Sequence, residues 1–242
     1  MTDLYVIGIG PGDAAHLTQA ARTALDRAEL ICGYTLYAEL LKTQYPEKEY
    51  YTTGMTGELE RCRHCLAQAA AGKTVALVCS GDAGVYGMAG PVLELAPAYP
   101  GVKIEVIPGV TAALSGAALL GAPLGHDFCV ISLSDRLTEW AVIEKRLRMA
   151  ARGDFAICLY NPASKHRADY LRRACDILLS ELDGGTVCGL ARRIGREGES
   201  YELLDLQTLR DAQADMFTTV FIGSSRTRAI AGRIVTPRGY RR

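Results

Sequence analysis

The alternation of strand-like and helix-like segments is the feature that most restricts the fold of this 242-residue chain. In its first half, short apolar runs predict strands, and helical patterns lie between them. The predicted strands are Leu4–Ile9, Glu29–Cys32, Glu49–Thr52, Thr74–Cys79 and Lys103–Ile107. The predicted helices are Thr18–Arg27, Thr35–Lys42, Gly57–Ala71 and Gly90–Ala98. Strands that alternate with helices of roughly 10–15 residues indicate βαβ units and a parallel sheet.

The pattern pauses at 121–125 and then resumes, which predicts a second α/β half. Its predicted strands are Phe128–Leu133, Phe155–Tyr160, Thr186–Ala191, Tyr201–Leu204 and Thr218–Ile222. Its predicted helices are Glu139–Ala151, Lys165–Leu182 and Leu206–Ala212. We therefore place two domains at 1–122 and 123–242, each within the usual size range of roughly 50–250 residues.

Charge and hydropathy disfavour two classes of partner. Lys and Arg number 27, as do Asp and Glu, so there is no basic excess of the kind that binds nucleic acid. The uncharged stretch 106–125 is broken at Pro108 and Pro123, which leaves a helix of about 11 residues against the roughly 20 that span a bilayer. The beginning of the chain also lacks a signal-type segment. We expect a cytoplasmic protein with no membrane or nucleic-acid partner.

The eight cysteines are expected to be free thiols rather than a disulfide framework. Cys62 and Cys65 form a CxxC spacing, but it lies on a predicted helix and no second ligand pair follows nearby. We interpret these two residues as helix packing and predict no metal site.

The stretch YVIGIGPGD at 5–13 is similar to a dinucleotide-binding loop but departs from it. Asp13 occupies the third glycine position, where an acid would repel phosphates, and Pro11 removes a backbone donor. The second predicted strand ends in CGY, so the acid that would hold the ribose of NAD is missing. A dinucleotide is therefore disfavoured. The simplest alternative is a tight turn with Asp13 as a helix cap.

Two more glycine-rich loops follow predicted strands, SGDAGVYG at 80–87 and PGVTA at 108–112. The carboxyl ends of parallel strands meet at one edge of the sheet, which is where open α/β sheets bind ligands. The three loops carry acids but no Lys or Arg, so a polyphosphate is an unsuitable ligand. A purine nucleoside with a cationic or neutral tail suits them better.

These loops carry a resemblance to a known family. GIGPGD at 8–13, SGDAGVYGMAG at 80–90, PGVTA at 108–112 and LYNP at 159–162 resemble the tetrapyrrole methylases, which use S-adenosylmethionine. Three further stretches resemble the branch that methylates C17 of a precorrin or cobalt-precorrin while contracting the ring. They are HDFCVISLSD at 126–135, YNPASKHR at 160–167 and TPRGYR at 236–241. The likeness covers essentially the whole chain.

The resemblance implies two α/β domains with mainly parallel sheets, the second one mixed. It also implies a cofactor cleft between the domains and a homodimer. Many relatives have proline at position 83, where this chain has Ala83, and this leaves the second loop less rigid. Carried over by position, the implied cofactor-binding residues are Pro11, Ser80, Gly81, Asp82, Val85, Thr111, Ala112, Asn161 and Gly189.

Ring contraction needs proton transfers, for which His126, Asp127 and Asp82 are candidates. We select His126 and Asp82 as the catalytic pair. His126 is equally well explained as a structural residue at the domain junction, and Asp82 as a cap of the next helix.

A tetrapyrrole carries several carboxylates, so its pocket should offer positive charge. Arg192, Arg193 and Arg196 follow one predicted strand end, and Lys165, His166 and Arg167 follow another. We predict that Arg192, Arg193, Lys165 and Arg167 bind the substrate, although solvated surface charges explain them equally well. Tyr34 and Tyr37 are expected to stack on the macrocycle, unless they are ordinary surface aromatics.

Three other hypotheses stay open at this point. The acceptor could be uroporphyrinogen, another precorrin position, or diphthine on a protein. The chain could be an NAD-dependent oxidoreductase, which Asp13 already weakens, or a nucleoside sensor without turnover. The sequence does not decide whether the substrate contains cobalt.

Overall fold

The computed structural model describes residues 2–164 and 168–240. The chain divides into two compact units, Met1–Thr111 and Ala112–Arg242. Each unit has its own five-stranded sheet with helices packed on it. The predicted fold class, two α/β halves with a parallel first sheet and a mixed second sheet, is confirmed.

The first unit is an open parallel sheet. Its strands are β1 (Leu4–Gly8), β2 (Leu30–Tyr34), β3 (Glu49–Thr53), β4 (Val75–Cys79) and β5 (Ile104–Ile107). Its helices are α1 (Gln19–Arg27), α2 (Thr35–Lys42), α3 (Glu58–Ala70) and α4 (Ala89–Leu95), with 3-10 turns at Ala14–His16 and Ala96–Ala98. The strands lie in the order β3-β2-β4-β1-β5, and all neighbouring pairs are parallel.

Both faces of this sheet are covered, which explains why β1 and β4 are apolar throughout. Val6 and Leu77 face α3 and α4, whereas Ile7 and Val78 face α1 and α2. Side chains alternate between the faces of a strand, so a strand buried on both sides needs an unbroken apolar run. That run is the signal that located these strands in the sequence.

The second unit contains a mixed sheet and a smaller one. Its strands are β6 (Gly121–Ala122), β7 (Phe128–Ser132), β8 (Ala156–Tyr160), β9 (Val187–Arg192), β10 (Ser200–Asp205), β11 (Thr218–Ile222), β12 (Arg228–Ile230) and β13 (Arg233–Val235). Its helices are α5 (Ala112–Leu120), α6 (Trp140–Arg152), α7 (Tyr170–Leu179) and α8 (Leu206–Leu209). The large sheet has the order β10-β9-β11-β8-β7, and the small one the order β12-β13-β6.

Strand direction in the large sheet matters for the site. β7 and β8 are parallel, and β11 runs antiparallel to both β8 and β9. Therefore β7, β8 and β9 point the same way, and their carboxyl ends lie at the same edge. β10 is antiparallel to β9 at the end of the sheet.

The helix α5 explains why the two compact units divide earlier than the predicted boundary at 122. Ala113, Ala117 and Leu120 of α5 are buried in one cluster with Phe221 and Ile234 of the second unit. The pause at 121–125 lies inside the second unit, where β6 pairs with β13. The predicted domain boundary followed the loop residues at 121–125. The apolar surface of α5 instead packs in the core of the second unit, so the helix belongs to that unit.

The small sheet was missed, and two helices are shorter than predicted. β12 and β13 form a hairpin whose turn residues, Ala231 and Gly232, have φ values of 50° and 73°. Asn-Gly or Asp-Gly is the usual sequence signal for such a turn, and Ala-Gly is a weak one. The last helix ends at Leu209 rather than Ala212, and α7 ends at Leu179 rather than Leu182.

All eight cysteines are free thiols. Cys62 and Cys65 lie on the face of α3 that packs against the sheet, and burial raises the pKa of Cys62 to about 11. Among the described residues, no group of three or more His, Cys, Asp or Glu side chains is arranged to hold a metal ion. In that same part of the chain, no helix is both long enough and apolar enough to cross a membrane.

Candidate functional site

The three glycine-rich loops meet at the carboxyl edge of the first sheet. β1 and β4 are adjacent in the sheet, but α1 follows β1 on one face and α4 follows β4 on the other. Neighbouring strands whose connections leave toward opposite faces form a topological switch point, where open α/β sheets bind ligands. The first two loops, 8–13 and 80–87, flank this point.

The loops approach so closely that only glycine fits at their contacts. Gly10 and Gly81 exchange backbone hydrogen bonds of 3.0 and 2.7 Å, with φ values of 74° and 68°. A Cβ on Gly8 would lie 2.6 Å from the Gly81 oxygen, and a Cβ on Gly109 would lie 2.1 Å from the same oxygen. These glycines are therefore required by loop–loop packing and backbone conformation.

The Asp82 carboxylate ties the second loop to the third. Its Oδ1 accepts hydrogen bonds from the N–H groups of Gly84 (2.8 Å) and Val85 (3.1 Å). Its Oδ2 accepts one from the N–H of Gly109 (2.9 Å). A carboxylate that holds three backbone donors organises the loops. The sequence offered Asp82 as a cap of the next helix, but α4 begins at Ala89 with Met88 at its N-cap and no side-chain cap. The structural role observed is this loop bracing, and the proton-transfer role of Asp82 stays a prediction.

The first loop differs from a phosphate-binding loop. Asp13 caps the 3-10 turn Ala14–His16: its Oδ1 accepts from the His16 N–H at 3.0 Å and contacts His16 Nδ1 at 2.5 Å. Desolvation opposes ionisation, but the hydrogen bonds from His16 outweigh it and lower the pKa of Asp13. The helix α1 begins only at Gln19, with Thr18 as its N-cap. The loop thus places a capped turn and a buried Pro11 between the strand and its helix.

Tyr86 is a residue that the sequence analysis missed. It has a φ of 54° and is 58% exposed in the second loop, between Gly84 and Gly87. Positive φ is unusual for a bulky side chain and persists only where the surrounding structure enforces it. The sequence signal that could have identified Tyr86 is an aromatic residue placed between two glycines of a ligand loop.

Tyr34 and Tyr37 lie near the same edge. Tyr34 is the last residue of β2, and Tyr37 lies in the first turn of α2. Their ring centroids are 5.2 Å apart with an interplanar angle of 87°. The structure therefore brings these predicted substrate residues together as an edge-to-face pair.

In the second unit, predicted residues gather at the carboxyl edge of β7, β8 and β9. Asn161, directly after β8, has a φ of 54° and donates from Nδ2 to Ser132 Oγ at 2.9 Å. The Tyr160 hydroxyl accepts a 2.6 Å hydrogen bond from the N–H of Ala113 in the first turn of α5. Ala112, the first residue of α5, is therefore near this edge as well.

The predicted arginines at this edge are not equivalent. Arg192 forms an ion pair with Glu202 at 3.0 Å and donates to the Gln213 carbonyl at 3.3 Å. Arg193 has a φ of 51° and is exposed. Arg193 is thus the better placed of the two for an incoming carboxylate, because Arg192 already holds one. The predicted residues Lys165 and Arg167 lie outside the described residues.

His126 lies away from this edge. It precedes β7 at the amino end of that strand, where its Nδ1 accepts a 3.0 Å hydrogen bond from the N–H of Asp127. β7 is five residues long, so about 16 Å separates its two ends. The structure therefore separates His126 from Asn161, and the proton-transfer role of His126 stays a prediction without support from this geometry.

Gly189 has a structural explanation of its own. It lies within β9, and a Cβ there would be 2.7 Å from the side chains of both Leu120 and Ile234. Close packing against α5 and β13 thus accounts for this glycine. Its predicted contact with a cofactor is not tested by this observation.

Comparison with known proteins places these features in context. Residues 3–210 match the family of tetrapyrrole (corrin/porphyrin) methylases. The chain is 47% identical over 238 residues to a probable cobalt-factor III C(17)-methyltransferase of Salmonella typhimurium, covering 98% of this chain and 99% of that protein. It is 41% identical to a precorrin-3B C(17)-methyltransferase of Sinorhizobium sp, covering 98% and 96%. The crystal structure of the methyltransferase CobJ matches with a TM-score of 0.91 at 39% identity, covering 98% of this chain and all of that one.

Proposed function

The chain belongs to the tetrapyrrole methylase family, and we propose that it transfers a methyl group from S-adenosylmethionine to C17 of a precorrin-3-level tetrapyrrole in cobalamin biosynthesis. The observation that carries the proposal is near-full-length identity of 41–47% to relatives named for C17 methylation. The relatives' names include both cobalt-factor III and precorrin-3B, so the assay must include a cobalt-containing and a metal-free substrate.

The glycine loops fit the proposed cofactor. They present a close backbone surface at the switch point and carry no Lys or Arg, which suits a sulfonium nucleoside better than a polyphosphate. When bound, the cofactor supplies an electrophilic methyl group. Within the first unit, we propose that Pro11, Ser80, Gly81 and Val85 contact it, while Asp82 keeps the loops in place. Thr111, Ala112, Asn161 and Gly189 complete the proposed cofactor set.

Positioning is the main catalytic task of these residues. Methyl transfer to an electron-rich ring carbon is an in-line displacement that needs no Ser, Cys or Lys nucleophile. Holding the two reacting groups in line can supply about 7–11 kcal/mol of the barrier. Hydrogen bonds among Gly10, Gly81, Asp82 and Gly109 join the three loops, which supports such positioning.

Substrate binding is assigned to side chains at the two carboxyl edges. Tyr34 and Tyr37 are proposed to contact the apolar face of the macrocycle. Arg193, Arg192, Lys165 and Arg167 are proposed to pair with its carboxylate arms, and Arg192 must leave Glu202 to do so. Ring contraction to the precorrin-4 level is part of the proposal, with His126 and Asp82 as its candidate proton carriers.

The proposed setting is a cytoplasmic homodimer that acts on a small molecule and binds neither membrane nor nucleic acid. Analytical ultracentrifugation of the purified chain tests the dimer directly, since a single monomeric species at micromolar concentration contradicts it.

The activity is tested by incubating the protein with methyl-labelled S-adenosylmethionine and a panel of acceptors. The panel contains cobalt-factor III, precorrin-3B, uroporphyrinogen III and precorrins at other levels. We expect label at C17 of one of the first two, located by mass spectrometry and NMR. Label only on another acceptor would replace the proposed substrate, and cofactor binding without turnover would favour a sensor.

A further inference from the structure

Arg61 is a buried charge that the site described above does not use. It lies in the first turns of α3 and is 4% exposed. Within residues 2–164 and 168–240, no other Lys, Arg, His, Asp or Glu side chain is buried. A buried charge is unfavourable unless it is paired, so its partners are informative.

The partners of Arg61 are all neutral. Its Nη1 donates to the Thr53 hydroxyl and, at 3.0 Å, to the Gly54 carbonyl. None of the ion pairs in the described part of the chain involves Arg61. The guanidinium is thus anchored at one nitrogen, and no carboxylate of the described residues forms an ion pair with it.

The other two nitrogens of the guanidinium have no protein partner among the described residues. Nε is fully buried and has no hydrogen-bond partner among the described residues. The hydrogen bonds of Arg61 both leave from Nη1, so Nη2 has no protein acceptor there either. Nη2 is not among the fully buried unpaired atoms, so it is the guanidinium nitrogen that a ligand oxygen can reach, and a hydrogen bond from it to a carboxylate would be charge-assisted.

Arg61 lies at the ligand edge of the first sheet. Thr53, which holds its Nη1, is the last residue of β3 and pairs in register with Tyr34 of β2. Burial raises the pKa of the Cys79 thiol at the end of β4, where the second glycine loop begins, and the Arg61 charge partly opposes that rise. The anchored guanidinium is therefore close to the elements that carry the proposed ligand site.

We infer that Arg61 receives a ligand carboxylate at Nη2. The inference rests on the proposed function, which offers two sources of this group. One is the carboxylate on the amino-acid end of S-adenosylmethionine, and the other is a carboxylate arm of the tetrapyrrole. Either source gives the buried charge the partner that it lacks among the described residues.

Calorimetry with two nucleosides tests the first source. S-adenosylhomocysteine has the carboxylate, and 5′-methylthioadenosine lacks it. The variants are Arg61→Met, which removes the charge, and Arg61→Lys, which keeps the charge but loses Nη2. Arg63→Met is the matched control, because Arg63 is exposed on the same helix.

If the cofactor supplies the group, both Arg61 variants weaken S-adenosylhomocysteine binding at least about tenfold and leave methylthioadenosine binding unchanged. If the substrate supplies it, both nucleosides bind all variants equally, and the KM for the tetrapyrrole rises at least about tenfold with little change in kcat. Arg63→Met changes neither quantity in either case.

Two results would overturn the inference. In the first, the Arg61 variants match Arg63→Met in every binding and KM measurement. In the second, they weaken both nucleosides equally, which indicates a brace for the α3 region rather than a carboxylate site. Failure of the proposed function is distinguishable, because the unmodified protein would then either bind no S-adenosylhomocysteine or transfer no methyl group to any acceptor. If Arg61→Met does not fold, Arg61→Lys gives the same contrast.

Discussion

At the scale of single residues, two acids in the glycine loops of the first unit, Asp82 and Asp13, have observed structural roles. The Asp82 carboxylate accepts hydrogen bonds from three backbone N–H groups in two loops, and Asp13 caps a turn. Acids in glycine loops are easily interpreted as catalytic, but their hydrogen bonds show what they stabilise. In this chain the loop backbone itself is the surface offered to a ligand.

Replacing Asp82 by Asn should lower stability and cofactor binding together. The amide would turn an N–H group toward at least one of the backbone donors that the carboxylate now accepts, which costs about 1–3 kcal/mol. Urea denaturation measures the free energy of unfolding, and calorimetry with S-adenosylhomocysteine measures the affinity. A purely catalytic role predicts the opposite outcome, in which kcat falls while stability and affinity are unchanged.

At the scale of elements, the site depends on how closely loops and helix ends approach. The three loops of the first unit touch through glycines, and the start of α5 is held by a tyrosine at the end of β8. Each contact joins residues that are distant in sequence, so each can be tested by one substitution.

Gly109→Ala should destabilise the first unit strongly. Its Cβ would lie 2.1 Å from the Gly81 oxygen, so the loops must separate, at a cost of about 1–3 kcal/mol or more. Gly90→Ala is the control: nothing lies within 4 Å of its Cβ, so the substitution meets no packing clash. The urea midpoint should therefore fall for Gly109→Ala and change far less for Gly90→Ala. Similar shifts for the two variants would contradict the packing observed at Gly109.

Tyr160→Phe should loosen the start of α5 without disturbing the sheet. The Ala113 N–H is one of the donors at a helix start that lack a partner within the helix. Losing the hydroxyl acceptor should cost about 1 kcal/mol. Hydrogen exchange should accelerate in the first turn of α5 and stay unchanged in β11. Unchanged exchange in that turn would show that another group holds it.

At the scale of the whole molecule, the chain consists of two units with separate cores. Each unit contains four of the eight thiols, so thiol reactivity can follow the unfolding of both units. Cys32, Cys62, Cys65 and Cys79 lie in the first unit and the other four in the second. Burial suppresses their reactivity: it raises the pKa of Cys79 and of Cys175 to about 12.

Thiol labelling at pH 8 should follow the unfolding of each unit. A raised pKa means that the thiolate, which is the reactive form, is scarce in the native protein. We expect slow labelling without urea, with the half-buried Cys129 reacting first. With increasing urea, the thiols of each unit should become reactive as a set of four, as peptide mass spectrometry can resolve. Scattered midpoints within one set would contradict a cooperative unit.

The sequence alone determined the α/β class, the strands of both large sheets and the edge at which the glycine loops lie. These features are local or periodic: apolar runs mark buried strands, and the carboxyl ends of parallel strands share an edge. Local sequence also argued against a dinucleotide ligand, because the residue types at Pro11 and Asp13 are enough to disfavour a phosphate-binding loop.

Only the tertiary structure decided what individual polar residues do. It joined Asp82 to Gly109, gave Arg192 a carboxylate in Glu202 and put His126 at the end of β7 opposite to Ser132. It also assigned α5 to the second unit and left Nε and Nη2 of Arg61 without a protein partner among the described residues. These properties follow from strand direction and from packing between distant segments, and neither is encoded in the spacing of residues along the chain.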